Sequence, residues 1–172
     1  TTAVPGGPPP RFDAAFAYEP QGQRCVLYGG GPGGTALDDC WSWDGSSWAP
    51  LAAHAAPGAR TGASLAAAPN GSLVLYGGSA STTTWTLAGN TWSQVPTAHD
   101  PGPRAFATMF RDPLGLLLLG GNRTDGNAHR FTGTDWVATT SSFARPLNLI
   151  HPIAAYDRAR GQCVLLGGAD AT

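Results

Sequence analysis

An apolar run closed by a double glycine recurs four times along this chain, at residues 25–30, 73–78, 116–121 and 163–168. The first glycines of the pairs, Gly29, Gly77, Gly120 and Gly167, step by 48, 43 and 47 residues. A second marker keeps the same period: Gly45, Gly89 and Gly133 are each followed three residues later by tryptophan, Trp48, Trp92 and Trp136. Two markers on one period mean a single supersecondary unit used repeatedly, each copy burying its apolar surface against its neighbours. Ahead of each run stands a Pro/Gly-rich linker ending in arginine, with Arg11, Arg60 and Arg104 in phase. In the fourth copy, matching Tyr156 to Tyr18 puts Leu149 in the arginine's place and leaves Arg145 four residues too early.

Each copy reads as four short strands. The first, over residues 12–18, 61–67 and 105–111, is rich in small residues, as suits a strand crowded near an axis. A tight turn follows at Pro20-Gln21-Gly22, Pro69-Asn70-Gly71 and Pro113-Leu114-Gly115. The second strand, such as Cys25-Val26-Leu27-Tyr28, is apolar at every position, which requires cover on both faces. The third carries Trp41 and Trp43, then Trp85 and Leu87, then His129 and Phe131, and the glycine turn leads into a fourth strand opened by tryptophan. Nothing reads as a helix. Four-stranded repeats of this length predict an all-β fold, a β-propeller arc of about three and a half blades. The predicted units are 1–10, the end of a preceding blade; 11–59, 60–103 and 104–144, three repeats; and 145–172, half of a fourth.

The succession of Arg, small-residue strand, Tyr-acid pair, apolar strand, Gly-Gly, Trp, Asp-Gly and Trp resembles the kelch repeat in its bacterial variety. Copy one (Arg11, Tyr18, Glu19, Gly29, Gly30, Trp41, Asp44, Gly45, Trp48) and the half copy (Tyr156, Asp157, Gly167, Gly168) carry it best, while copies two and three lose the Tyr-acid pair. The resemblance implies a ring of about six or seven blades. An arc of half that size leaves apolar faces at both ends, so the expectation is a longer chain, or copies that associate to complete the ring. The resemblance also brings in an enzyme of the galactose oxidase type, whose copper ligands and cross-linked Tyr-Cys pair have no counterpart here. Two further classes stay open: a carbohydrate-active enzyme whose catalytic residues lie outside the segment, and a structural subunit of an extracellular assembly.

Charge narrows the classes of partner. Only 12% of the 172 residues are charged, and ten arginines with no lysine oppose eleven acids for a net charge of -1. That balance argues against nucleic acid and anionic membranes as partners. The leucine run at residues 116–119 is far too short to span a bilayer. Cys25, Cys40 and Cys163 are odd in number and lack CxxC spacing, so they read as small buried hydrophobes, with a disulfide involving Cys40 as the competing reading. The missing lysines, the Ala/Gly/Arg/Pro bias and a start at Thr1 point to a secreted bacterial protein, extracellular, at the cell surface or periplasmic, and to a fragment of something longer.

No catalytic constellation stands out. Residues 29–34 satisfy GxGxxG in letters, but no helix follows to meet a phosphate. Asn122, Asp125 and Asn127 resemble part of a calcium loop without its bidentate acid. His54, His99, His129 and His151 are scattered, the serines lack a GxSxG elbow, and the paired acids Asp38 and Asp39 point to opposite sides of a strand. No cofactor and no metal is expected.

What remains is a non-enzymatic recognition or assembly module. Loops 31–38, 79–84 and 122–128, with the arginine linkers, should gather on one face and hold a protein, peptide or glycan. In kelch receptors for acidic peptides, arginines at the start of the first strand contribute to the pocket, which the resemblance carries to Arg11, Arg60 and Arg104. Arg123 and Asp125 complete the candidate ligand-binding set. The competing reading makes the repeated arginines struts that bond neighbouring loop carbonyls.

Overall fold

The structure is a computed structural model that describes residues 6–52, 54–122, 128–139 and 149–170. It is all-β, with no helix among the described residues. Repeat 1 is a four-stranded antiparallel sheet of β1 (Ala15–Glu19), β2 (Arg24–Tyr28), β3 (Cys40–Trp43) and β4 (Trp48–Pro50), paired in sequence order. Repeat 2 repeats the pattern with β5 (Ala63–Ala67), β6 (Leu73–Gly77), β7 (Thr84–Ala88) and β8 (Thr91–Val95). Repeat 3 has β9 (Ala107–Asp112), β10 (Gly115–Gly120), β11 (Ala128–Phe131) and β12 (Trp136–Thr139). In repeat 4, β13 (Leu149–Ile150) pairs with β16 (Ala169–Asp170), and β14 (Ile153–Asp157) forms a hairpin with β15 (Gln162–Leu166). The first long strands β1, β5, β9 and β14 lie side by side along one inner edge.

Registers make the repeats superimposable residue by residue. Ala15 pairs with Tyr28, Ser64 with Tyr76, Thr108 with Leu119 and Ile153 with Leu166. The sheets stack as the unbroken apolar runs require. Every residue of β6 and β10 is buried, because each is covered on both faces, whereas β15 alternates half-buried and exposed. Three seams result. Val26, Tyr28 and Cys40 meet Leu73, Leu75 and Trp92; Val74 and Tyr76 meet Leu116, Leu118 and Trp136; Phe110, Leu117 and Leu119 meet Ala154, Cys163 and Leu165. All three cysteines are free; Cys40 is buried and the other two are half-buried.

One expectation is corrected. The first strands start later than predicted, at Ala15, Ala63 and Ala107 instead of at 12, 61 and 105. The residues before them cannot be extended, because Asp13 (φ 55°), Gly62 (φ 67°) and Phe106 (φ 63°) take left-handed backbone.

Candidate functional site at the inner edge

The double glycine is a hook between repeats. Both members have positive φ, 63° and 75° at Gly29-Gly30, 72° and 82° at Gly77-Gly78, and 70° and 99° at Gly120-Gly121. The second glycine donates its N–H to the carbonyl at the arginine position of the next repeat: Gly30 to Arg60 (2.9 Å), Gly78 to Arg104 (2.9 Å) and Gly121 to Leu149 (2.7 Å). That carbonyl sits where a Cβ on the first glycine would be, so a side chain at Gly29, Gly77 or Gly120 would collide with backbone. The assignment of Leu149 to the arginine's place is thus matched by its hydrogen bond.

The arginines brace the same hook from the other side. Arg11 donates to the Gly29 carbonyl (2.9 Å), Arg60 to that of Gly77 (3.0 Å) and Arg104 to that of Gly120 (3.1 Å). Further donors go to linker carbonyls, Pro9 from Arg11, Pro57 and Gly58 from Arg60, and Pro101 from Arg104. Arg11 also holds Asp39 in a bidentate pair at 2.5 and 2.8 Å. Arg60 and Arg104 are only 5% and 2% exposed, and the Arg11 side chain 5%. An acidic ligand would have to displace these carbonyls, so the geometry favours struts over a ligand pocket at all three positions. Burial is the reason: a guanidinium sealed under loops must spend its donors on the groups that seal it. Arg123 and Asp125, together with Asn127, lie outside the described residues.

Two positions after each of the three arginines, and two after Leu149 in the fourth copy, the chain presents a row that no repeated letter announces. Asp13, Gly62, Phe106 and His151 occupy equivalent sites, all with φ between 54° and 67°. Main-chain bonds join them in series: the N–H of Gly62 donates to Asp13 (2.8 Å), that of Phe106 to Gly62 (2.8 Å) and that of His151 to Phe106 (2.9 Å). The Phe106 ring lies over Gly62, where a Cβ would meet it at 2.7 Å, and the His151 imidazole covers Phe106 with centroids 4.4 Å apart. A cavity of about 350 Å³ opens over the row, walled by Ala14, Ala63, Ala107 and Pro152. Asp13 and His151 are exposed and Phe106 half-buried.

The site therefore offers a phenyl and an imidazole ring tilted by 31° to each other, with a carboxylate on the same fixed backbone. Such a surface can stack on an apolar face and hydrogen-bond hydroxyls or amides beside it. Among the described residues no three His, Cys, Asp or Glu side chains group as metal ligands. The Cys40 thiol, pushed up to about 12 mainly by burial, is a poor nucleophile. Of the four histidines, His151 alone stands in this row; His99 bonds Asp135 at 2.8 Å on the surface. Asp38 and Asp39 lie before β3, which starts at Cys40, and so are not on the expected strand; Asp39 is held by Arg11 and Asp38 is exposed. No family model matches the chain, and no curated protein matches it either.

Proposed function

We propose that this chain is part of a kelch-type β-propeller that recognises a protein, peptide or glycan without chemical turnover, and that the inner-edge row is its contact surface. The stacked four-stranded sheets support the propeller reading, as do the inner strands in register and the glycine hook that repeats with them. The observation that carries the recognition reading is the presence of Phe106 and His151 in left-handed backbone. Gly62 shows that glycine serves this position, and a bulky residue there costs on the order of 1–2 kcal/mol. Side chains kept at such positions and facing a cavity are candidates for contact with a ligand.

Glycine at these positions supplies the test. Phe106→Gly and His151→Gly relax the backbone to the conformation Gly62 already accepts, so each should leave stability within about 1 kcal/mol. Binding to hits selected on a glycan array and a peptide library should fall at least tenfold in both variants by calorimetry. Equal binding by wild type and the double variant, or no hit on either array, would overturn the assignment.

A further inference from the structure

The first two seams share the glycine hook but differ at the other end of the strands, where the turns lie. In the first seam repeat 1 bridges that rim. Arg24 donates to the Gly89 carbonyl (2.6 Å) and to the Asn90 side chain (3.2 Å) with Glu19 as its counter-charge, and Gln21 donates to the Asn70 carbonyl (2.6 Å). In the second seam the residues in register with Glu19 and Arg24 are Ala68 and Ser72. Asn70, which follows a proline as Gln21 does, turns its Oδ1 back to the N–H and hydroxyl of Ser72 (3.2 and 2.8 Å). The three bridging side chains of the first seam are thus short or turned away in the second, and a groove of about 500 Å³ is left between repeats 2 and 3.

The floor of the groove is the buried Val74, Leu116 and Phe131, and Leu114, 77% exposed, flanks its mouth. Arg130 is the only charged residue of the lining, and both of its terminal nitrogens are spent on Asp112, at 2.7 Å each. Thr132 and Gly133 form part of the wall. Gly133 is the counterpart of Gly89, each three residues before a tryptophan, yet among the described residues no side chain of repeat 2 bonds its carbonyl. The groove lies at the Gly115 end of β10, whereas the hook and the inner-edge row lie at the Gly120 end.

We propose that this groove is a second binding site, for an uncharged and largely apolar small molecule that carries a hydroxyl donor. The first seam shows what such a slot takes. The apolar body stands in for the Arg24 stem, over Val74, Leu116 and Phe131, and the hydroxyl donates to the Gly133 carbonyl as the Arg24 guanidinium donates to that of Gly89. A cation is excluded because Ala68 stands where Glu19 neutralises Arg24, and an anion because Arg130 is already paired with Asp112. Either ion would be desolvated without a partner. An apolar enclosure of this size with a few polar groups on its wall is what small ligands fill.

Four aromatics of one shape test the site on the whole chain: para-butylphenol, its methyl ether, para-butylbenzoate and para-butylbenzylammonium. By calorimetry at neutral pH the phenol should bind at one site, at least threefold more tightly than the ether, which lacks the donor, and at least tenfold more tightly than either ion. Bound phenol should shift the methyl resonances of Val74, Leu114 and Leu116 and leave those of Val26 and Leu27 in place. Ala68→Glu with Ser72→Arg rebuilds the first seam's bridge inside the groove and should lower phenol affinity at least tenfold. Leu114→Ser, at an exposed position where the fold loses little, should lower it about threefold. Phe106→Gly alters only the inner-edge row and should leave phenol binding unchanged, so this site and the recognition reading fail separately. No saturable binding, equal affinity for the ions, shifts confined to residues away from the groove, or binding undiminished in both groove variants would overturn the proposal.

Discussion

Between repeats 1 and 2 the indole of Trp92 packs with Cys40 and edge-on to Tyr28, ring centroids 5.2 Å apart; between repeats 2 and 3 the indole of Trp136 fills the same slot on Thr84 and Tyr76. The Trp136 N–H donates to the Thr84 hydroxyl at 2.8 Å, whereas the buried Trp92 N–H faces sulfur and has no oxygen or nitrogen partner among the described residues. The tyrosines do the same work in both seams, each hydroxyl donating to a linker carbonyl, Gly58 or Gly102, at 3.0 Å. At the outer rim the order reverses. In the first seam Glu19, fully buried, accepts from Arg24 at 2.6 Å, and Arg24 reaches on to Gly89 and Asn90 while Gln21 bonds the Asn70 carbonyl. In the second seam the counterparts of Glu19 and Arg24 are Ala68 and Ser72, too short to cross, and an open groove of about 500 Å³ lies there. The backbone hook is common to both seams. The polar groups around it are exchangeable: each seam is bridged at one end and slack at the other, and even at the bridged rim of the first seam the buried Glu19 Oε1 has no partner among the described residues.

Arg24→Ala should have the largest effect, because it strands the Glu19 carboxylate in the seam; a loss of about 3–5 kcal/mol is expected in urea unfolding. Glu19→Ala added to it should recover most of that loss, and no recovery would mean that the pair is not what closes the rim. Next, Thr84→Val leaves Trp136 without its acceptor at nearly constant volume and should cost about 1–3 kcal/mol, while Cys40→Thr gives Trp92 an acceptor and should gain about 1 kcal/mol. Equal signs for these two substitutions would show that indole satisfaction does not distinguish the seams.

The smallest effect is acid sensitivity. The Asp39 carboxyl is held below its usual value chiefly by the Arg11 guanidinium, against burial, with help from the Trp41 N–H. Burial alone would raise Asp112, but Arg130 and the turn N–H groups of Leu114 and Gly115 hold it low. A carboxyl depressed in the fold stabilises above the ordinary carboxylate range and loses that contribution as pH falls through its lowered value. Repeats 1 and 3 should therefore gain amide exchange before repeat 2 during acid titration, each by less than about 1 kcal/mol. Asp39→Asn should lessen the effect in repeat 1, where Asp44 is also held low by the Ser46 and Ser47 N–H groups and hydroxyls, and leave repeat 3 unchanged.

Much of the architecture was legible because it is written in residue type. Short apolar runs bounded by Gly and Pro read as strands covered on both faces, and β6 and β10 are such strands. The paired glycines mark backbone that other residues avoid, and the in-phase arginines mark a recurring need for donors. The strut and the ligand readings of those arginines were both available from sequence, because residue type does not tell how deeply a guanidinium is buried. The row of Asp13, Gly62, Phe106 and His151 was not legible. Its common property is a dihedral angle, and only Gly62 among the four is a residue type that signals one. Counting two positions on from the three arginines, and from Leu149 in the arginine's place, would have aligned the four, yet nothing in an acid, a phenyl and an imidazole says that they share a site.

That row also separates framework from vocabulary. Its links run through main-chain N–H and C=O groups, so the substituent at each step can be exchanged without cutting the chain of bonds. Shape limits the choice: glycine takes the left-handed backbone freely, asparagine, aspartate and histidine more readily than most residues, and β-branched or bulky residues only at a cost. The inner edge is therefore a fixed spine on which the substituent changes from repeat to repeat while the bonds between repeats stay the same.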